Sequence, residues 1–333
     1  PYVNVLWASG VDPESGRPIE VPGSRYDQGP FLMAPVGLGG HNWHPMAFSP
    51  DSNLVFVPSQ DIAVPYAEEP DFEFTKGFWN GGTEFEALQL PDDPAATAEI
   101  LKTMSGQLVA WDPVSQNEVW RYQHAGPWNG GVLATAGGRV FQGRSIGEFA
   151  AYDAGSGERL WQFAAQTGIV AAPISYAVGG EQHVAVAAGW GSIFALLGGQ
   201  GAAALGQKNV SRILAFNLAG EESLPVVEAT APAAFPEPPD SDATPAQWAK
   251  GKDIYHERCG VCHGTGAVSG GVLPDLRRLT KEKHEIWDAI VREGALRDIA
   301  MPAFGQIMSQ DDSDAVHSFV IERSRFAYER QTQ

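Results

Sequence analysis

Short apolar runs separated by turn residues dominate the first two thirds of the chain. The runs fall into apparent pairs: Met46 to Ser49 with Leu54 to Pro58, Val132 to Thr135 with Arg139 to Gly143, and Ile169 to Tyr176 with His183 to Ala188. Glycine, aspartate or asparagine separates the two members of each pair, as is typical of tight strand connections. The pattern predicts antiparallel β-structure.

One segment of this region repeats at a fixed interval. The stretch 106–112 (GQLVAWD) recurs 41 residues later as 147–153 (GEFAAYD), and in both copies a tryptophan, Trp120 or Trp161, follows the aspartate by 8 residues. A period near 40 with a recurring tryptophan is typical of β-propellers, in which each repeat forms a four-stranded blade. The two tryptophans are predicted to pack between blades. The region holds roughly three to four blades, fewer than a closed propeller normally uses.

The pattern changes after residue 217. Residues 218–244 contain five prolines and six acidic residues without a lysine or arginine, which predicts an extended linker that buries little surface. Helix signals follow it. We therefore predict a propeller domain over 1–217, a linker over 218–244 and an all-helical domain over 245–333.

Three helices are predicted in the last domain. Thr244 before Pro245 is typical of a helix start, and this helix runs into Cys259. Thr280 begins a second helix that Gly294 ends. Ser309 with Asp312 resembles a capping box, which predicts a last helix from there to about residue 326.

Charge is unevenly distributed along the 333 residues. The formal net charge is -18, yet residues 245–333 are nearly neutral, with 12 basic and 13 acidic side chains. A strongly acidic first domain argues against nucleic acid or an anionic membrane surface as a partner, because both favour positive patches. No apolar run reaches the roughly 18 residues of a membrane span.

The two cysteines of the chain lie in Cys259-Gly260-Val261-Cys262-His263. This spacing is that of c-type haem attachment, in which each thiol binds one vinyl group and the histidine becomes the proximal iron ligand. The alternatives are a disulfide, a zinc half-site or a thioredoxin-like pair. Zinc would need two further ligands at matching spacing, and a thioredoxin-like pair would need a βαβ pattern. The motif therefore predicts covalent haem c, with His263 as an axial ligand.

A second axial ligand is expected after the attachment site. Met301 lies in a proline-containing loop from which a side chain can turn inward, whereas Met308 precedes a helix cap and is predicted to pack in the core. His284 and His317 lie on helical stretches, where a packed or solvated histidine is the more common role. We predict Met301 as the sixth ligand.

With these motifs in place, the chain resembles the C-terminal half of quinohaemoprotein alcohol dehydrogenases. The resemblance covers nearly the whole chain and rests on residues 42–50 (NWHPMAFSP), 110–113 (AWDP), 129–131 (NGG), 188–191 (AGWG), 259–263 (CGVCH) and 301–304 (MPAF). It implies an eight-bladed propeller of the quinoprotein type, of which about half the blades are in this chain, followed by a cytochrome c domain.

The resemblance also implies cofactor residues. Asn42 and Trp43 would contact pyrroloquinoline quinone (PQQ), and their amide and indole groups suit a planar quinone. Val170, on the innermost strand of the last blade, and Gly189 with Trp190 are further PQQ candidates. The catalytic base and the calcium ligands of the family come from its first propeller half, so both are expected outside this chain.

The function implied is that of a periplasmic PQQ-dependent alcohol dehydrogenase that passes electrons one at a time to haem c. Its expected partners are a small or polymeric alcohol and a redox acceptor protein or membrane quinone system. The rest of the propeller is expected either on a second chain or on a longer polypeptide of which this chain is a fragment. Haem attachment indicates an extracytoplasmic compartment, and the start at Pro1 is expected to be a cut or mature end. The alternative is an electron-transfer cytochrome whose partial propeller is a docking scaffold. The insert from Gln60 to Ser105 would shape substrate entry or form a surface flap.

Overall fold

The computed structural model describes residues 1–70, 72–74, 80–84, 89–225 and 233–331. The chain divides into two compact units, one containing the described strands and the other the C-terminal helices. None of the helices in these ranges is long and apolar enough to cross a membrane. Phe78 and Trp79 of the predicted insert lie outside the described residues.

The strands are, in chain order, β1 (Ala8–Val11), β2 (Pro18–Glu20), β3 (Phe31–Met33), β4 (Ala47–Ser49), β5 (Leu54–Asp61), β6 (Val64–Tyr66), β7 (Ser105–Asp112), β8 (Asn117–His124), β9 (Val132–Thr135), β10 (Arg139–Arg144), β11 (Glu148–Asp153), β12 (Arg159–Ala164), β13 (Ile174–Val178), β14 (Glu181–Ala188) and β15 (Arg212–Phe216). The helices are α1 (Pro94–Thr103), α2 (Ile193–Leu197), α3 (Gly199–Ala203), α4 (Pro245–Arg258), α5 (Gly260–His263), α6 (Lys281–Glu285), α7 (Trp287–Val291) and α8 (Gln310–Gln331). Short 3-10 turns lie at Thr265–Ala267, Leu276–Arg278 and Arg297–Ile299.

Two four-stranded antiparallel sheets form successive blades. Their strand orders are β4-β5-β7-β8 and β12-β11-β10-β9, which confirms the first two predicted strand pairs. Turns after the repeated aspartates are closed by side-chain hydrogen bonds: Asp112 Oδ1 accepts from the backbone N of Val114, and Asp153 Oδ1 accepts from those of Gly155 and Ser156. The repeat is thus one structural unit used twice.

The repeated tryptophans pack between blades, as predicted. Trp120 donates from Nε1 to the carbonyl of Ala154 in the next blade at 3.0 Å. Its ring also lies against Gly157, where an added Cβ would come within 2.6 Å of the indole. Trp161 contacts Phe216 of the following sheet, with ring centroids 5.2 Å apart. The contacts of Trp120 with Ala154 and Gly157 therefore set the distance between these two blades.

The third blade differs from the prediction in its boundaries. Among the described residues its sheet has three strands, in the order β13-β14-β15. β13 begins at Ile174, and Ile169 instead forms an isolated bridge with Gly189. The three sheets are blades of a partial β-propeller, and two small two-stranded antiparallel sheets, β1-β2 and β3-β6, accompany them.

The second unit is a helical domain in which α4 packs against α8. Thr244 caps α4 by accepting from the backbone N of Gln247 at 3.2 Å, and Ser309 and Asp312 form the reciprocal capping box before α8. The second predicted helix is divided into α6 and α7 at Ile286, whose φ and ψ of -102° and 22° are not helical. The core is a cluster of residues from α4, α7, α8 and the segments that connect the helices: Tyr255, Cys259, Ala267, Trp287, Val291, Met308, Val316, Phe319 and Val320.

Candidate functional site

The cysteine motif lies where α4 ends and α5 begins. Cys259 is buried and Cys262 is exposed, and neither is in a disulfide. The backbone N of His263 donates to the carbonyl of Cys259 at 2.9 Å, which holds the motif in one helical turn. Burial raises the pKa of Cys259 to about 12. In the folded chain its sulfur is therefore a thiol in an apolar surrounding, next to the core cluster of the domain.

His263 is oriented for metal binding through one ring nitrogen. Its Nδ1 lies 3.2 Å from the carbonyl of Pro274, and because a carbonyl only accepts, Nδ1 must carry the proton. Nε2 then keeps its lone pair for a metal ion, which is the arrangement of metal-bound histidines held by a backbone carbonyl. Burial lowers the pKa of His263, so the neutral, ligating form predominates.

Both candidate methionines belong to the same core. Met308 is 2% exposed, whereas Met301 is half-buried and packs at the edge of the cluster. Ala300, with φ of 73°, turns the chain in the left-handed region directly before Met301. A strained turn followed by Met301-Pro302 places this side chain on a loop, in keeping with the role predicted for it.

The first unit contains an open cleft of about 710 Å³, whose lining is largely apolar. Three of the predicted cofactor residues line it: Trp43, Val170 and Gly189. Trp43 is 56% exposed, so one face of its indole is available to a ligand. Cleft residues that sequence reasoning missed are Asn209, Ser211 and Arg212, which follow α3 without any periodic pattern.

Asn42 and Trp190 are not among the residues that line the cleft. The amide of Asn42 donates to the carbonyl of Leu38 at 2.7 Å and accepts from the backbone N of Trp43 at 2.8 Å. Asn42 thus shapes the turn that presents Trp43. The Trp190 side chain is fully buried and lies against Gly168.

The turn that carries Trp43 is tied to β5. His41 Nδ1 donates to the carbonyl of Pro58 at 2.8 Å, and the backbone N of Gln60 donates to the carbonyl of Gly40 at 2.9 Å. His44 stacks on Trp43 with ring centroids 4.3 Å apart. Burial lowers the pKa of His44 to about 4, so this ring is neutral near pH 7.

The side chains of the two sites suit the groups that the sequence implies. Paired cysteines, a histidine with a free Nε2 and two nearby methionines fit haem c. An exposed indole face in an apolar cleft fits a planar quinone. Arg212 also lines the cleft, and its Nη1 donates to Gln166 Oε1 at 3.2 Å. Within the described ranges, no three His, Cys, Asp or Glu side chains come together as a metal-binding group.

Comparisons with known proteins agree with both parts of this description. Residues 97–229 match the family model described as outer membrane protein assembly factor BamB, and residues 246–320 match that described as cytochrome c oxidase, cbb3-type, subunit III. A propeller of the PQQ type followed by a cytochrome c domain defines the class of protein.

Individual relatives show which family within this class the chain resembles. The chain is 42% identical over 323 residues to quinohemoprotein alcohol dehydrogenase ADH IIB of Pseudomonas putida, which covers 97% of this chain and 46% of that protein. It is 40% identical over 337 residues to the dehydrogenase subunit of alcohol dehydrogenase (quinone) of Komagataeibacter europaeus. This alignment covers 99% of this chain and 45% of that protein. The structure of quinohemoprotein alcohol dehydrogenase ADHIIG from Pseudomonas putida HK5 superimposes with a TM-score of 0.87 at 34% identity, over 98% of this chain and 48% of that one.

The chain belongs to the quinohaemoprotein alcohol dehydrogenase family, of which it contains the propeller region and the cytochrome c domain. It spans about half the length of the curated relatives it matches.

Proposed function

We propose that the chain is the C-terminal part of a periplasmic dehydrogenase that oxidises an alcohol with PQQ and haem c. The proposal rests on two features that occur in one chain. One is an apolar cleft with an open indole face, and the other is a cysteine pair beside a histidine whose ring is already oriented by a hydrogen bond. When bound, PQQ supplies the oxidant for the alcohol and haem c the one-electron acceptor.

The residues of the cleft have defined tasks under this proposal. Trp43 offers a flat apolar face against which a planar ring is held, and Asn42 fixes the turn on which Trp43 stands. Val170 and the alanines of the cleft lining would exclude water from the bound ring. Arg212 provides a positive charge at the edge of the cleft for an anionic group. Gly189 keeps the cleft open beside Ser211.

The residues of the cytochrome domain hold the acceptor. Cys259 and Cys262 would carry the thioether links, and His263 would bind iron through Nε2, since its Nδ1 is engaged with Pro274. Met301 is proposed as the second axial ligand, and its thioether sulfur would raise the reduction potential. Met308, nearly fully buried, is assigned to the core.

Several parts of the function are proposed to lie outside this chain. They are the catalytic base, the calcium ligands and the remaining blades, supplied by the rest of a longer polypeptide or by a second chain. A soluble redox protein or a membrane quinone system would accept the electrons.

The test uses the purified protein that contains this chain, loaded with PQQ and calcium under anaerobic conditions. Primary, secondary and polyhydroxylated alcohols are added, and haem reduction is followed by visible absorption. At least one class should reduce the haem without any other protein. Reduction only by a partner protein, with every alcohol inactive, would support the docking-scaffold alternative and contradict the proposal.

A matched pair of variants tests the cleft. Trp43→Ala should weaken PQQ binding by on the order of tenfold, since stacking on an aromatic face contributes about 1 kcal/mol beyond buried area. Phe48→Ala is the control, because Phe48 is 53% exposed, much like Trp43, but does not line the cleft. Equal losses in the two variants would argue against Trp43 as a cofactor residue.

A further inference from the structure

The carbonyl that binds His263 belongs to a loop held by a buried ion pair. Pro274 is followed by Asp275, which caps the 3-10 turn Leu276–Arg278 by accepting from the backbone N of Arg277 at 3.1 Å. The same carboxylate accepts from Arg277 Nε at 2.9 Å and from Nη2 at 2.6 Å. The two side chains are only 16% and 15% exposed. The guanidinium therefore locks the turn that places the Pro274 carbonyl.

Part of the linker covers this ion pair. We call residues 233–239 the linker strap. The Phe235 ring lies 5.1 Å from the guanidinium carbon of Arg277 and 3.9 Å from that of Arg278. Both backbone groups of Phe235 bond the Gln331 side chain at 2.7 Å, and Arg325 donates to the carbonyl of Pro239 at 2.8 Å. The strap is thus fastened to the helical domain at both ends, by contacts that the composition of the linker did not predict.

The charge of Asp275 lies close to the proximal histidine. Asp275 directly follows Pro274, whose carbonyl accepts from His263 Nδ1 at 3.2 Å, so the carboxylate is one residue away from the hydrogen bond that orients the imidazole. A negative charge beside an iron-ligating imidazole favours the more positive, ferric state of the iron. Arg277 offsets that charge at close range, in a site where both side chains of the ion pair are largely buried.

We propose that Arg277 is a positioning residue that sets the reduction potential of the haem. Clamped between Asp275 and the linker strap, it holds the Pro274 carbonyl against His263 Nδ1 and neutralises the nearby carboxylate. The linker thereby has a second role beyond connecting the domains, because the contact of Phe235 maintains the clamp. The inference rests on the haem attachment of the proposed function.

The experiment measures haem reduction potentials by spectroscopic redox titration of the purified holoprotein. Arg277→Gln should lower the potential, because Asp275 becomes an unpaired negative charge near the iron ligand. Asp275→Asn keeps a capping oxygen but removes that charge, so it should raise the potential. The double variant should return towards wild type, and Arg277→Lys, which keeps the charge without the bidentate geometry, should shift less than Arg277→Gln.

Arg278→Gln is the matched control. Arg278 is the adjacent residue and carries the same charge. It contacts the same ring and donates to the carbonyl of Ala233 in the linker strap, but it makes no ion pair with Asp275. Its shift should be a small fraction of that of Arg277→Gln. Equal shifts for the two arginines would mean that only net charge matters, and the inference would be overturned.

A second readout follows the hydrogen bond itself. In Arg277→Gln the Nδ1 proton of His263, observed by NMR, should exchange with solvent on the order of tenfold faster than in wild type, as expected when a turn opens more readily. Phe235→Ala, which changes no charge, should speed exchange in the same direction but less. Unchanged potentials and exchange in a protein with attached haem would refute the inference alone, whereas a protein without covalent haem would refute the proposed function as well.

Discussion

At Gly251 the backbones of α4 and α8 approach each other closely, and replacing this residue with alanine tests how the helical domain is held together. A Cβ at this position would lie 1.9 Å from the carbonyl oxygen of Ala315 and 2.4 Å from its carbonyl carbon. Ordinary contacts begin at about 3.5 Å, so α8 would have to retreat by roughly 1.5 Å. The obstructing atoms are backbone and cannot turn aside.

The cost can be estimated from the packing that would be lost. Tyr255 and Phe319 lie across the same helix pair, with ring centroids 5.0 Å apart, and both are buried. Overpacking costs typically about 1–3 kcal/mol and more when the backbone must move, and a gap of this size removes roughly half of the dispersion attraction across the interface. Alanine regains about 1 kcal/mol through helix propensity. We expect a net loss of about 3 kcal/mol for Gly251→Ala.

Thermal unfolding of the helical domain, followed by far-ultraviolet circular dichroism and by haem absorption, measures this loss. A domain of this size should lose roughly 12–24 °C in Tm. Gly137→Ala is the control, since an added Cβ there meets no atom within 4 Å, and its Tm should stay near wild type. An unchanged or raised Tm for Gly251→Ala would show that helix propensity outweighs the contact, which would refute the packing described for α4 and α8.

Three further predictions concern single side chains. Trp120→Phe keeps the ring but removes the Nε1 donor to Ala154, so urea unfolding should show a loss of about 1 kcal/mol, and no change would contradict the hydrogen bond. Burial lowers the pKa of His124 to about 3. As the pH falls, the histidine of the unfolded chain is therefore protonated before that of the folded chain. The stability contributed by the neutral buried His124 is present above pH about 6.5 and declines as the pH falls from there towards 3. Urea midpoints measured across that range should fall less steeply in His124→Gln, and parallel curves would exclude this residue as a cause. Met301→Leu should lower the haem reduction potential, whereas Met308→Leu should leave the iron ligation spectrum unchanged, and the reverse result would exchange their roles.

Local signals in the sequence were sufficient to predict contacts that a side chain makes with residues close to it along the chain. Asp153 closes its turn, Thr244 caps α4, and Ser309 with Asp312 caps α8, each within three residues along the chain. Such contacts depend on side-chain chemistry and spacing alone. The 41-residue repeat extended this success to the blades, because each copy forms the same hairpin.

Features decided by distant contacts were not accessible in this way. The second helix begins after Thr280 as predicted, but it is divided at Ile286 and ends at Val291, with Arg292 and not Gly294 as its C-cap. Only packing inside the domain decides whether such a short helix continues. The docking of the linker strap depends on Phe235 meeting Arg277 and Arg278, which are 42 or more residues away in the sequence. A Pro-rich acidic segment gave no indication of that contact.

The residues of the candidate site likewise differ in whether the sequence carries a local signal for them. The cysteine motif identifies its chemistry without help, because covalent attachment needs a fixed spacing. Trp43, Val170 and Gly189 were selected through family resemblance, and they share one cleft. Arg212, which lines the same cleft, was missed because a single arginine after an irregular segment carries no pattern of its own.

The central claim is that the cysteine motif carries covalent haem as the electron acceptor of this chain. The most direct measurement is to denature the purified native protein, extract it with acidified organic solvent and record the haem absorption of the remaining polypeptide. One haem per chain should stay with the polypeptide, and replacing both Cys259 and Cys262 with serine should abolish its retention. A colourless native protein, or haem that passes entirely into the solvent, would contradict the account.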